Sequence, residues 1–214
     1  MKIAENSKLV LIGDSITDGG RARPVGDGAG GVGTIYPSNV FGWLGARCPE
    51  RRIRVINMGC SGDTVRDLQA RWQTDVLDLQ PDWLGVLIGI NDVWRQIERP
   101  LQPETHVPLA EFRAIYDELL MVTRPRLRGL VLLAPYFVDP NKDEPMRKMM
   151  DGYGAAVREL AAKHDAIFVD LQAEFDELLR HLHPMEIALD RVHPNVVGET
   201  LITRAFLRAV EFSF

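Results

Sequence analysis

Near the end of the chain stands Asp190-Arg191-Val192-His193, a pair of titratable residues whose spacing could serve acyl transfer. Three positions apart, a carboxylate can reach the imidazole Nδ1, fix the tautomer and leave Nε2 facing outward as a base. A hydroxyl is a poor nucleophile at neutral pH and needs such a base. The candidate hydroxyl is Ser15, directly after the apolar run Leu9-Val10-Leu11-Ile12 and the break at Gly13-Asp14. A tetrahedral intermediate would then need hydrogen-bond donors, and the Ser15 N–H, the Gly62 N–H and the Asn91 side-chain amide could supply them. Each such donor is typically worth roughly 3 kcal/mol in the transition state.

Each of these residues also has a plainer reading. Ser15-Ile16-Thr17-Asp18 is an S-x-x-D pattern, so the hydroxyl could simply cap a helix. Gly62 fits a turn with positive φ, Asn91 an Asx turn, and Asp190 with His193 a helix-start acid beside a surface histidine. The elements that would have to position them favour the chemical reading. Apolar runs at Leu9–Ile12, Arg54–Asn57, Trp83–Ile88, Gly129–Leu133 and Ala166–Val169 have the length and continuity of strands buried on both faces. Ser15, Gly62 and Asn91 follow the first three of them, at the strand ends where open α/β sheets bind ligands.

Helices are expected between these strands, over Tyr36–Arg47, about Thr64–Trp72, Glu104–Thr123 and Pro145–Lys163. Short and long helices follow at Asp190–Pro194 and Asn195–Val210. Alternation of this kind gives an α/β fold: one doubly wound, flavodoxin-like three-layer sandwich over residues 1–214, with a five-stranded parallel sheet in the order 2-1-3-4-5. The methionines of the Pro145 helix read as packing or interface material. The glycine-dense Gly26–Gly33 stretch contains G-x-G-x-x-G, but no strand leads into it, so it reads as a flexible loop near the site.

Of the 214 residues, 46% are hydrophobic and 26% charged, which suits an ordinary globular chain. A net charge of -5 without a basic run argues against nucleic-acid or anionic-membrane partners. The polar start Met1–Lys8 lacks the apolar region of a signal peptide, and a cytoplasmic location is expected. Cys48 and Cys60 are too few for a disulfide framework and read as small buried or half-buried side chains. No cofactor and no metal are expected. Two alternatives remain: a metal-assisted hydrolase using His181-x-His183 with a nearby carboxylate, and a non-catalytic sugar- or nucleotide-binding module on the same sheet.

Gly13-Asp14-Ser15, Gly62 within Asn57-x-Gly59-x-Ser61-Gly62-x-Thr64, Gly89-x-Asn91-Asp92 and Asp190-x-x-His193-Pro194 together resemble the four blocks of the SGNH (GDSL-type) hydrolase family, in that family's order. The resemblance implies Ser15 as nucleophile, His193 as general base, Asp190 as its orienting partner, and Ser15, Gly62 and Asn91 as the oxyanion hole. Arg21-Ala22-Arg23-Pro24, Gly89–Arg95 and Asp143-x-Pro145-Met146-Arg147 are similar to bacterial intracellular acetylxylan esterases of that superfamily. This implies an acetylated saccharide, most of all a xylo-oligosaccharide, as substrate, and a large homo-oligomer, an octamer among the options. Other short-chain esters are the alternative substrates. Asp14, Trp94 and Arg95 are then candidate substrate contacts: an indole can stack on a sugar ring and a guanidinium can donate to its hydroxyls. Trp94 fits core packing or a subunit contact equally well, and Arg21, Arg23 and Arg191 could line the rim or a solvated surface.

Overall fold

Apolar side chains unbroken by polar ones make the centre of the sheet. In the computed structural model, which describes residues 1–214, β1 (Lys8–Gly13) carries Leu9, Val10, Leu11 and Ile12, none with measurable exposure. It pairs in parallel with β3 (Arg54–Gly59) on one side and β4 (Trp83–Leu87) on the other. Beyond β4 come β5 (Gly129–Leu133) and β6 (Ile167–Val169), also parallel. These five strands take the expected order, with the serine-bearing strand between its two neighbours.

A sixth strand lies at the edge, β2 (Gly26–Asp27), antiparallel to β3. The glycine-rich stretch is therefore paired at its start, and an Arg54 guanidinium holds the Asp27 carboxylate. Two residues are too short a run for any apolar alternation to announce.

Helices α2 (Tyr36–Arg47) and α8 (Val196–Ala209) pack together on one face, and α3 (Val65–Trp72), α5 (Leu109–Thr123) and α6 (Pro145–Lys163) on the other. Trp72 donates its indole N–H to Thr123 at 2.8 Å, joining α3 to α5. Met146 and Met150 of α6 are buried in the core, in keeping with a packing role. Helix α5 begins five residues later than expected. Pro103 starts a separate single turn, and Pro108, with no N–H to give, serves as the cap before Leu109. Two helices were not foreseen: α4 (Ile90–Glu98) directly after β4, and α7 (Leu171–Leu178), whose Asp170 caps it by accepting the Ala173 N–H.

Glu199 of α8 is 6% exposed, and its Oε2 accepts the Tyr36 N–H at 2.6 Å, capping the start of α2. Burial pushes this carboxyl up to about 8, against the lowering effect of that hydrogen bond. Between its ordinary value and about 8 the folded protein therefore holds a proton that the unfolded chain has released. The contribution to stability is whole at low pH and is lost as pH rises through that window. Glu199→Gln cannot ionise, so its melting temperature relative to the native chain is expected to be higher at pH 9 than at pH 5. Thermal melts at both values check this; an equal difference at both would contradict a buried, protonated Glu199.

Candidate active site

The site forms at the carboxyl ends of β1, β3 and β4. Gly13 ends β1 where a Cβ would lie 2.1 Å from the Leu87 carbonyl oxygen, so only glycine lets β1 and β4 close there. Asp14 then caps a single helical turn, α1 (Ser15–Asp18), with Oδ1 accepting the Ile16 N–H at 2.9 Å. Capping thus falls to Asp14, and the Ser15 hydroxyl is left for another partner. Its Oγ lies 2.8 Å from His193 Nε2.

His193 Nδ1 is in turn 2.6 Å from Asp190 Oδ2. Asp190–His193 forms a bend and not the expected helix. Asp190 Oδ1 accepts the Val192 and His193 N–H groups at 2.9 and 2.8 Å, competing with helical pairing, and Arg191 turns the chain at φ +63°. Burial works against ionisation of Asp190, but the hydrogen bonds from the His193 ring and from both backbone N–H groups outweigh it and hold the carboxyl below its usual range. An ionised carboxylate against Nδ1 keeps the proton there and leaves Nε2 free to accept the Ser15 proton. The bend is anchored from β5's side: Val138 N–H donates to the Arg191 carbonyl at 2.9 Å and Arg191 pairs with Asp139 at 2.5 Å. Both His193 and Asp190 keep more than two-fifths of their side chains exposed, so the nucleophile is open to a bulky ester.

After β3 the chain turns through Cys60-Ser61-Gly62-Asp63, with Gly62 at φ +88°, a conformation that side-chain-bearing residues rarely adopt. The Cys60 N–H donates to the Gly13 carbonyl at 2.9 Å, tying this loop to the residue before Asp14. Asp18 Oδ2 accepts the Ser61 N–H and hydroxyl at 3.0 and 2.8 Å and also pairs with Arg23. Asn91, in the first turn of α4, donates to the Asp63 carbonyl at 2.9 Å and keeps a second N–H to offer. The N–H groups of Ser15 and Gly62 donate to no protein acceptor. Free donors on adjacent strand ends beside an activated hydroxyl are what a tetrahedral oxyanion requires. Cys60 is half-buried, and burial first of all pushes its thiol up, so it does not compete as nucleophile.

One of the candidate substrate contacts turns out otherwise, and a second has a partner of its own. Asp14 is 1% exposed and cannot reach a ligand. Burial pushes it up to about 8, with Asp92 and Asp63 adding to the rise; Asp92 rises to about 7, also through burial. Burial thus favours the uncharged form of Asp14. Arg95 is half-buried and donates to the Gly62 carbonyl, with Asp67 beside it. Its neighbour Trp94 does face the site, with its ring centroid 6.0 Å from that of His193. Of the rim arginines, Arg21 is buried against the Gly59 carbonyl, while Arg23 and Arg191 hold Asp18 and Asp139.

The residues of the metal alternative do not converge. His183 Nδ1 accepts the Met185 N–H, His181 stands 4.0 Å from Glu177, and no three His, Cys, Asp or Glu side chains are grouped to hold an ion.

An open, mostly parallel sheet presenting a Ser–His–Asp relay beside free backbone donors defines the class of serine hydrolases. Residues 11–201 match the GDSL-like Lipase/Acylhydrolase family, and the chain belongs to it. It is 49% identical over 215 residues to an acetylxylan esterase from Geobacillus stearothermophilus, covering 100% of this chain and 98% of that one. The crystal structure of that organism's acetylxylan esterase Axe2 superposes with a TM-score of 0.98 at 49% identity, over 100% and 98% of the two chains. Catalytic mutants of Axe2, with a serine, a histidine or an aspartate replaced by alanine, superpose equally well at 48% identity. LAE5, an alpha/beta hydrolase enzyme from the metagenome of Lake Arreo, gives a TM-score of 0.96 at 47% identity over 99% and 98%.

Proposed function

We propose that this chain is a serine esterase that removes O-acetyl groups from acetylated sugars, with xylo-oligosaccharides as its substrate class. The observation that carries the reading is the relay of 2.8 Å and 2.6 Å from Ser15 through His193 to Asp190. Ser15 Oγ attacks the acetyl carbonyl while His193 Nε2 takes its proton. The oxyanion is held by the Ser15 and Gly62 N–H groups and the Asn91 amide, and the imidazolium returns the proton to the departing sugar oxygen. Water, deprotonated by the same imidazole, then releases acetate and restores the serine. The open site supports a saccharide leaving group, with Trp94 stacking on a sugar ring beside His193. The acetyl-sugar assignment rests on full-length similarity to an acetylxylan esterase.

We infer a cytoplasmic, homo-oligomeric enzyme, an octamer by family resemblance. Leu189 and Val196, 81% and 74% exposed, flank the Asp190–His193 bend, and Trp43 packs with Phe212 and Phe214 in a second partly exposed apolar cluster. A second copy of the chain supplies the cover such side chains lack. No helix is long and apolar enough to cross a membrane. Rates of carboxylic acid release from acetylated xylose, acetylated glucose and longer-chain aryl esters test substrate class, with light scattering of the same samples for assembly. Preference for acetylated xylose in a multi-chain particle is expected; equal rates on all esters would assign a broader carboxylesterase, and a monomer would refute the assembly.

A further inference from the structure

Two guanidinium groups that stand outside the acyl-transfer relay grip the loop that offers the Gly62 N–H. Arg71 of α3 donates Nε to Asp63 Oδ2 at 2.6 Å, one terminal nitrogen to the Met58 carbonyl and Asp75 Oδ2, both at 2.7 Å, and the other to the Gly13 carbonyl at 3.0 Å. One planar fork thereby joins the last residues of β1 and β3 to the carboxylate of the loop that follows β3. Only 18% of this side chain is exposed. Arg95 of α4 donates to the carbonyl of Gly62 itself, with Asp67 3.9 Å from its other terminal nitrogen.

We propose that Arg71 and Arg95 are positioning residues, a clamp that fixes the Gly62–Asp63 loop so that the Gly62 N–H already faces the oxyanion before an ester arrives. The inference deepens the reading of Ser15 as an acyl-transferring nucleophile and rests on it. A donor accelerates the reaction only to the extent that it needs no reordering when charge appears on the carbonyl oxygen. Gly62 has wide backbone freedom, and its φ of +88° is one choice among several for a residue without a side chain. The loop is a single turn closed only by the Asp63 N–H on the Cys60 carbonyl at 3.2 Å, so the rest of its aim depends on contacts from outside. Asn91 secures the Asp63 carbonyl and Asp18 secures Ser61; the arginines secure the remaining Gly62 carbonyl and Asp63 carboxylate. Arg95 acts on the reaction through Gly62, not by touching the sugar. Arginine suits the task because its rigid fork bridges several acceptors, which the point charge of a lysine cannot do.

The test compares native enzyme with Arg95→Gln and Arg95→Lys on acetylated xylose, reading kcat and KM separately. Inhibition by a phenylboronic acid, which forms a tetrahedral adduct on a reactive serine, is measured beside inhibition by the deacetylated xylo-oligosaccharide. For Arg95→Gln, kcat is expected to fall about 10- to 100-fold and boronate binding to weaken by a similar factor, while KM and product inhibition stay within about twofold. Arg95→Lys should recover part of the loss. Asp63→Ala releases the loop from Arg71 while leaving that side chain on the Gly13 and Met58 carbonyls, and should repeat the kcat pattern if Arg95→Gln proves too unstable to assay. A raised KM and weakened product inhibition with kcat unchanged would overturn the clamp and make Arg95 a sugar contact. Unchanged constants in Arg95→Gln and Asp63→Ala would overturn it outright. Either result with an inactive Ser15→Ala and a boronate-sensitive native enzyme leaves the esterase reading standing; a fully active Ser15→Ala would remove that reading instead.

Discussion

Ser15→Ala is expected to lower the rate of acetyl-ester hydrolysis by about 10⁴-fold or more, close to what free donors and binding alone can provide. The melting curve should not move. Ser15 contributes one side-chain contact, to His193, while the cap that starts α1 comes from Asp14. Losing the hydroxyl therefore removes the attacking atom without opening the junction of β1, β3 and β4. Continuous acetate assay and a thermal melt on the same preparation check both halves. Wild-type turnover would show that another group attacks the ester. A collapse of the fold would show that the hydroxyl is needed for structure.

The second large effect is expected at Asp190. Asp190→Asn keeps the side chain's size and one acceptor for the Val192 and His193 N–H groups, so the bend should survive. An amide N–H set against Nδ1, however, makes Nδ1 the acceptor and moves the ring proton to Nε2, where it points at the Ser15 Oγ. The base is then in the wrong tautomer, and kcat should drop by about 10³- to 10⁴-fold with KM little changed. Steady-state kinetics measure the drop. Proton-detected magnetic resonance of the imidazole locates the proton. Near-native kcat would mean that Asp190 merely shapes the bend.

Sequence and structure agree most closely on the sheet because burial on both faces leaves a simple record. Leu9–Ile12, Trp83–Leu87 and Gly129–Leu133 are continuous apolar runs, and parallel crossovers then restrict their order. The positions of Ser15, Gly62 and Asn91 follow from where such runs stop, and His193 from its spacing to Asp190. Finer points fail where two adjacent residues compete for one role. Asp14 and Ser15 are both helix-capping types, and spacing alone does not say which one caps. Asp190-x-x-His193 is compatible with a helical turn until the Asp190 carboxylate is seen taking the very N–H groups that would shape it.

Arg95 shows a different obstacle. A guanidinium after Asn91 has the same sequence signature whether it reaches out to a sugar or back to the Gly62 carbonyl, and only the placement of α4 against the loop decides. That helix carried a signal in Ile90, Val93 and Ile97, spaced for one face, and α7 carried one in Asp170 followed by Leu171, Phe175 and Leu178. The clamp role of Arg71 is only half visible locally, because Asp63 and Asp75 lie close by in the chain while the Gly13 carbonyl comes from β1, far upstream.

The account stands most directly on an acetyl group passing through Ser15. Rapid acid quench of the enzyme during turnover of an activated acetyl ester, followed by mass spectrometry of the peptide spanning β1 and α1, should find that peptide heavier by one acetyl group on Ser15, and unmodified in Ser15→Ala. An acetyl group on any other side chain, or turnover with the Ser15 peptide never modified, would contradict it.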